Sequence, residues 1–311
     1  MQQIQVFHIN ESAAKDAKRF VDEAETRYTE FTSDIAERIA KDEKIKIVLL
    51  AGPSGSGKTT TANLLADEIR KRGLSSAVIS LDDFYRSPSD PDYPTLPNGE
   101  RDYEAVEALN LTDIVETLIS VADEKDFTVP KYDFKLGRRT EVRNYPKISH
   151  GCVIIEGLHA LNPKIFEHLP KEKVLRVFIS VSTNVYNGFE RILSGRKMRF
   201  IRRMVRDSIY RGADAERTLE MWGNVLFGED KYLYPFRKYA DIDFNTFHSF
   251  ELCVMKKYVE KLITPALACK DDYAEEVLSA IEKIVPIDEE LVPQSSLIRE
   301  FINEGKYEEF Y

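Results

Sequence analysis

Residues 52–59 read Gly-Pro-Ser-Gly-Ser-Gly-Lys-Thr, small residues followed by a lysine and a hydroxyl. Glycines let a backbone turn so that several N–H groups face one concavity, and a helix opening there adds partial positive charge. That is the chemistry of a phosphate cradle. Gly52, Ser54, Gly55, Ser56, Gly57 and Thr60 would line it, with Lys58 reaching the β- and γ-phosphates and the Thr59 hydroxyl ligating Mg2+. A glycine-rich turn could match by chance. Here, however, the run follows an apolar β-branched stretch, Ile45 to Ala51, and opens a helical segment, Lys58 to Lys71, which is the setting the cradle requires. A nucleoside triphosphate is the implied ligand, and the lack of an Asn-Lys-x-Asp segment that would read guanine favours ATP.

A second strand, Ala77 to Leu81, ends in Asp82-Asp83. Ligands of doubly wound sheets gather at the carboxyl ends of the strands, so one of these aspartates should face the cradle. There it could orient an acceptor hydroxyl and take its proton during phosphoryl transfer. The plainer reading is an acidic strand end that caps the next turn. Glu156 ends a third apolar run, Val153 to Ile155, and could hold magnesium or its waters. A half-exposed strand-end glutamate is the competing account, and Asp133 has less to place it than either.

Between Arg191 and Arg211 stand Arg196, Lys197, Arg199, Arg202, Arg203 and Arg206, against a single acid, Asp207. Most charge runs are solvated faces. This one sits in a chain of net charge −9, and Arg199, Arg203 and Arg206 share one helical face at i+4 and i+3 spacing. Such a stripe suits a lid, over about 196–211, that closes on a triphosphate and offsets developing charge.

The elements that must position these groups alternate strand and helix, which implies a parallel sheet covered on both faces. Residues 11–43 carry apolar residues at helical spacing, and further strands are expected at Leu175 to Val181 and Ala240 to Phe244. A helix is expected over 104–124, an irregular stretch around YDFKLGRR, and helices over 249–311 broken at Pro265 and Pro286. Residues 84–101, with Pro88, Pro91, Pro94 and Pro97, read as a long ordered loop of the kind that carries function. No run approaches the roughly 18–20 apolar residues of a membrane span. The first residues have neither a basic nor an apolar leader region, and the three scattered cysteines fit a reducing, cytoplasmic setting. Net acidity argues against nucleic acid as a partner. A homo-oligomer is compatible with the sequence but not specified by it.

The segments GPSGSGKTT, ISLDDFYR, VPKYDFKLGRR, VIIEGLHALN and IRRMVRDSIYRG, in this order, resemble the uridine kinase/phosphoribulokinase family over about residues 44–246. VPQSSLIREFI resembles the bacterial nucleoside kinase branch that often carries an N-terminal TGS domain, for which residues 1–43 are too short. The resemblance implies an α/β P-loop NTPase fold, with a doubly wound, mainly parallel sheet and helical N- and C-terminal additions. It implies three parts: an extension 1–43, a kinase core 44–248 and a helical part 249–311. It also implies ATP and Mg2+ as cofactors and a small-molecule substrate, the 5′-hydroxyl of a nucleoside. In that family's pattern Asp82 is the base, Asp102 binds ribose hydroxyls, and Tyr132 lies near the base ring. Tyr85, Arg139 and Arg203 join the substrate site, while Lys58, Arg206 and Arg211 assist catalysis. Two departures stand out: glycine at 137, where uridine kinases usually place a pyrimidine-reading histidine, and alanine at 213 in place of an arginine. Both put pyrimidine specificity in doubt. The competing readings are a kinase acting on a non-nucleoside hydroxyl and a nucleotide-binding regulatory module without catalysis. The second should have lost Lys58, Thr59 or Asp82, and all three are present.

Overall fold

The computed structural model describes residues 2–96 and 98–308; Met1, Pro97 and residues 309–311 lie outside the described residues. A short strand β1 (Gln3–Gln5) leads into a long helix α1 (Val6–Lys41), kinked at Asp16. There follow β2 (Ile47–Ala51), α2 (Lys58–Lys71), β3 (Ser75–Ser80) and α3 (Leu111–Ala122). A hairpin of β4 (Phe127–Asp133) and β5 (Arg138–Tyr145) precedes β6 (Gly151–Glu156), a one-turn helix α4 (Pro163–Phe166) and β7 (Val174–Ser180). Next come β8 (Asn184–Asn187), β9 (Glu190–Leu193), α5 (Gly195–Arg211), α6 (Ala215–Tyr232) and β10 (Ile242–Asn245). The remaining helices are α7 (Glu251–Leu262), α8 (Pro265–Ala268), α9 (Asp272–Glu282) and α10 (Arg299–Ile302).

Five strands form one parallel sheet in the order β10-β7-β2-β6-β3. β2 lies at its centre and every residue of it is buried, which is why it reads as an unbroken apolar run. Alternate residues feed two cores. Ile47 and Leu49 pack with Ile114, Leu118 and Val121 of α3, while Val48 and Leu50 pack with Leu65 and Ile69 of α2 and Ile35 and Ile39 of α1. A third core joins the first half of α1 to α5, α6, α7, α9 and the strap of chain around Leu297 to Ile302. Among the described residues no helix is long and apolar enough to cross a membrane.

Three local expectations change. The helix expected from 104 begins at Leu111, because the Asn110 side chain accepts from Asp113 N–H and caps it there. The stretch expected to be irregular is a β-hairpin whose turn places Gly137 at φ +62°. A small sheet, β1-β8-β9, pairs the N-terminal strand in parallel with β8, and its strands are too short to announce themselves by alternation.

Candidate active site

The phosphate loop joins β2 to α2 at the centre of the sheet. Gly55 and Gly57 have φ of +72° and +86°, which L side chains rarely adopt. A Cβ on Gly55 would lie 2.8 Å from the Arg199 carbonyl oxygen, and one on Gly57 2.4 Å from Leu297 Cδ1. No side chain fits either place.

The loop presents carbonyls to its surroundings, and the basic helix α5 binds them. Arg199 Nη1 donates to Ser54 O at 2.9 Å and Arg202 Nη1 to Gly55 O at 3.2 Å. Both guanidiniums are buried and neutralised. Arg199 is bidentate to Glu229 of α6 at 2.7 and 2.8 Å, and Arg202 pairs with Glu251 of α7. Glu229 also accepts from Ser54 N–H at 2.9 Å. The expected arginine stripe is therefore divided: Arg199 supports the loop from behind and does not face a phosphate.

Asp207 organises the rest of the stripe. Its carboxylate lies 3.3 Å from Arg203 Nε, 3.1 Å from Arg206 Nη2 and 3.3 Å from Arg211 Nη1. Arg203 Nη1 also donates to Ser54 Oγ at 2.9 Å, so this group borders the cradle. Asp207 was visible in the sequence as the one acid in the run; its spacing of four residues from both Arg203 and Arg211 is the signal that marks it as their anchor.

The candidate carboxylates are set by strand register. Glu156 is paired in one row with Leu50 of β2 and Ser80 of β3, so it lies between the phosphate loop and the Asp82 turn. Ser80 Oγ accepts from Asp82 N–H at 3.3 Å and fixes that turn. Asp82 opens onto the cleft, yet the cleft walls desolvate its carboxyl and hold it above the usual range, opposed by Lys58 and Arg211. Asp83 instead pairs with Arg143 of β5. Glu156 is buried, and desolvation pushes its carboxyl up to about 7 against the pull of Lys58. Lys58 Nζ donates to Pro53 O at 3.3 Å. Among the described residues no three acidic, His or Cys groups form a metal cage. Mg2+ needs none when phosphates, one hydroxyl and one carboxylate share the ion, and Thr59 and Glu156 fit that demand.

Across the cleft, Tyr85, Tyr132 and Phe134 form an aromatic group with ring centroids 5.0–5.7 Å apart. Asp102 is buried and engaged: its Oδ2 accepts from Tyr232 OH at 2.5 Å and its Oδ1 from Glu104 N–H at 3.2 Å. Arg139 donates to Phe84 O at 3.1 Å and Tyr85 O at 3.3 Å and pairs with Asp113, so its guanidinium holds the backbone after Asp83 in place. A Cβ on Gly137 would meet nothing within 4 Å, and Ala213 follows Gly212, which ends α5 at φ +61°.

Residues 47–252 match the profile of the Phosphoribulokinase / Uridine kinase family. A uridine kinase of Borrelia hermsii (strain HS1 / DAH) is 27% identical over 199 residues, 64% of this chain and 85% of that one. A uridine kinase of Staphylococcus aureus (strain JH9) is 28% identical over 198 residues, 63% of this chain and 85% of that one. Among solved structures, D-glycerate 3-kinase from Cryptococcus neoformans var. grubii superposes with a TM-score of 0.45 at 18% identity, covering 66% of this chain and 87% of that one. That likeness says nothing of substrate.

Proposed function

The chain belongs to the phosphoribulokinase/uridine kinase family, and on that premise we propose that it transfers the γ-phosphoryl group of ATP to the 5′-hydroxyl of a nucleoside. The observation that carries this reading is Asp82, a cleft-facing carboxylate beside Lys58 and Arg211, opposite the aromatic group of Tyr85, Tyr132 and Phe134. As the acceptor oxygen bonds to the γ-phosphorus and the bond to the leaving ADP oxygen breaks, the hydroxyl proton passes to Asp82. A carboxylate held above its usual range is the stronger base for that task. Lys58, Arg203, Arg206 and Arg211 offset the charge that spreads over the transferring group. Bound Mg2+, with Thr59 and Glu156 as its protein ligands, would supply further charge neutralisation at the phosphate oxygens.

Residues 44–248 are the catalytic unit in this reading, with 1–43 and 249–311 as added layers. The lid expected over 196–211 becomes a motion of the Arg203, Arg206 and Arg211 side chains, because Phe200, Ile201, Met204 and Val205 are fully buried and two buried ion pairs tie the helix down. A non-nucleoside acceptor is the second reading, favoured by the engagement of Asp102 with Tyr232.

A coupled ADP-release assay across nucleosides, deoxynucleosides and sugar alcohols separates the two. We expect turnover with nucleosides and no strong preference for uridine, since the open space at Gly137 offers no group to read a pyrimidine edge. Gly137→His should raise kcat/KM for uridine or cytidine over purines by about 1–3 kcal/mol, while the side chain held at φ +62° costs about 1 kcal/mol of folding stability and leaves that ratio untouched. A wild-type protein already selective for uridine by several orders of magnitude would refute the role given to this glycine, and turnover confined to sugar alcohols would refute the nucleoside.

A further inference from the structure

The strap from Val292 to Ile302 has no part in the reaction above, yet it lies directly against the phosphate loop. Leu297, Ile298, Phe301 and Ile302 are fully buried. Arg299 binds the strap to itself, donating from Nε and Nη2 to Val292 O at 3.2 and 2.9 Å and from Nη2 to Glu289 O at 3.0 Å. Ser296 Oγ donates to Glu25 of α1 at 2.5 Å. From this fixed base Glu300 reaches into the site. Its Oε2 accepts from the Thr60 N–H at 3.3 Å and from Thr60 Oγ1 at 2.8 Å, and its Oε1 lies 3.8 Å from Arg206 Nη1.

Thr60 is the third residue of α2, and the Thr61 N–H makes the bond back to Gly57 O at 2.9 Å. The Thr60 N–H therefore belongs to the first turn, the part of a helix whose donors serve anions bound at its N-terminus. A protein carboxylate holds one of them. We propose that Glu300 is an intramolecular competitor for the nucleotide's phosphate: it takes the Thr60 N–H and hydroxyl that a bound phosphate would use and must release them when the triphosphate binds. The inference rests on the reading of the loop as a triphosphate site.

Which part moves follows from burial. Four fully buried apolar side chains hold the strap, so the backbone stays and the glutamate side chain turns. Arg206 is the cation beside it, so a Glu300 displaced from Thr60 closes onto Arg206. Occupancy of the cradle is thereby relayed to an arginine of the transfer site. A glutamate that merely caps α2 would have no such consequence, because capping persists with ligand bound.

The sign of one measurement separates the two. Titration calorimetry with Mg-ATP on the full chain should show Glu300→Ala binding at least about tenfold more tightly than wild type, since the competing state is removed, and Glu300→Gln, whose neutral acceptor competes less strongly than a carboxylate, falling between the two. With Arg206 held by Asp207 alone and no longer met by Glu300, kcat should fall in the same variants while KM for ATP falls too. Glutamine keeps an acceptor for Thr60, so a folded protein is retained in at least that variant. Equal or weaker ATP binding in both variants overturns the competitor and leaves the kinase reading intact. Tighter ATP binding without turnover on any nucleoside supports the competitor and rejects the acceptor assignment. No ATP binding in any form of the protein overturns both.

Discussion

Asp83 gives its carboxylate to Arg143, whereas Asp82 faces Lys58 and Arg211. The hairpin thus distinguishes two neighbours that the sequence leaves equivalent. Asp82→Asn should lower kcat about a hundredfold or more, the scale for loss of a general base, with ATP affinity nearly unchanged. Asp83→Asn should loosen the hairpin, raising KM for the acceptor while kcat changes by less than about tenfold. Steady-state kinetics and direct ATP titration on both variants check this, and the reverse pattern would reassign the base to Asp83. The cradle was legible in the sequence because phosphate binding demands a fixed local string of residues. Tyr232 and Glu300 were not, because their partners Asp102 and Thr60 lie 130 and 240 residues away. Gly137 was half legible: the missing side chain shows in the sequence, but the turn that requires positive φ there does not.

Helix α5 shows how composition misleads at the scale of an element. Its arginine count reads as a face aimed at phosphate, yet Arg199 and Arg202 have side chains at most 1% exposed and support the phosphate loop through its carbonyls. Periodicity groups residues on a face without saying whether acids from α6 and α7 lie opposite. Breaking one partner of such a pair strands a buried charge. Arg199→Met should therefore cost about 3–5 kcal/mol in urea denaturation. Arg199→Met combined with Glu229→Leu should recover the part of that loss that comes from the stranded charge, while the part from the unpartnered Ser54 N–H and C=O remains. A double variant no more stable than the single would show that the pair is not the source of the cost. The five strands of the main sheet, by contrast, were legible to within about two residues at each end: β2, β6 and β7 are mostly buried, and such a strand has to be an apolar run, whereas the edge strands β3 and β10 are only partly buried.

At the scale of the whole molecule α1 is packed against the strap, although they lie far apart in sequence. Glu25 of α1 meets Ser296 of the strap, with His248 Nε2 3.9 Å away and Asp22 on its own helix. Burial pushes the Glu25 carboxyl up to about 7 and holds His248 neutral, down at about 3. The folded protein binds the Glu25 proton more tightly than the unfolded chain does. Ionising Glu25 therefore costs stability progressively between about pH 4.5 and pH 7, and the full cost is present above that. Glu25→Gln should match wild type near pH 4.5 and exceed it by about 2–3 kcal/mol at pH 8 in denaturant titrations. An equal gain at both pH values would mean that packing, not ionisation, sets the difference. The same arrangement bears on synthesis. Asn10 bonds to Lys283 O and Val285 N–H at 2.8 and 2.9 Å, and β1 pairs with β8, so α1 is made some 273 residues before the partners that cover it. At ribosomal speeds of about 5–20 residues per second, that is a delay of roughly 15–60 s with Val6, Ile9, Phe20 and Val21 uncovered. Until then the apolar face of α1 has none of its native partners to cover it, so a chaperone present during synthesis should raise the yield of folded protein.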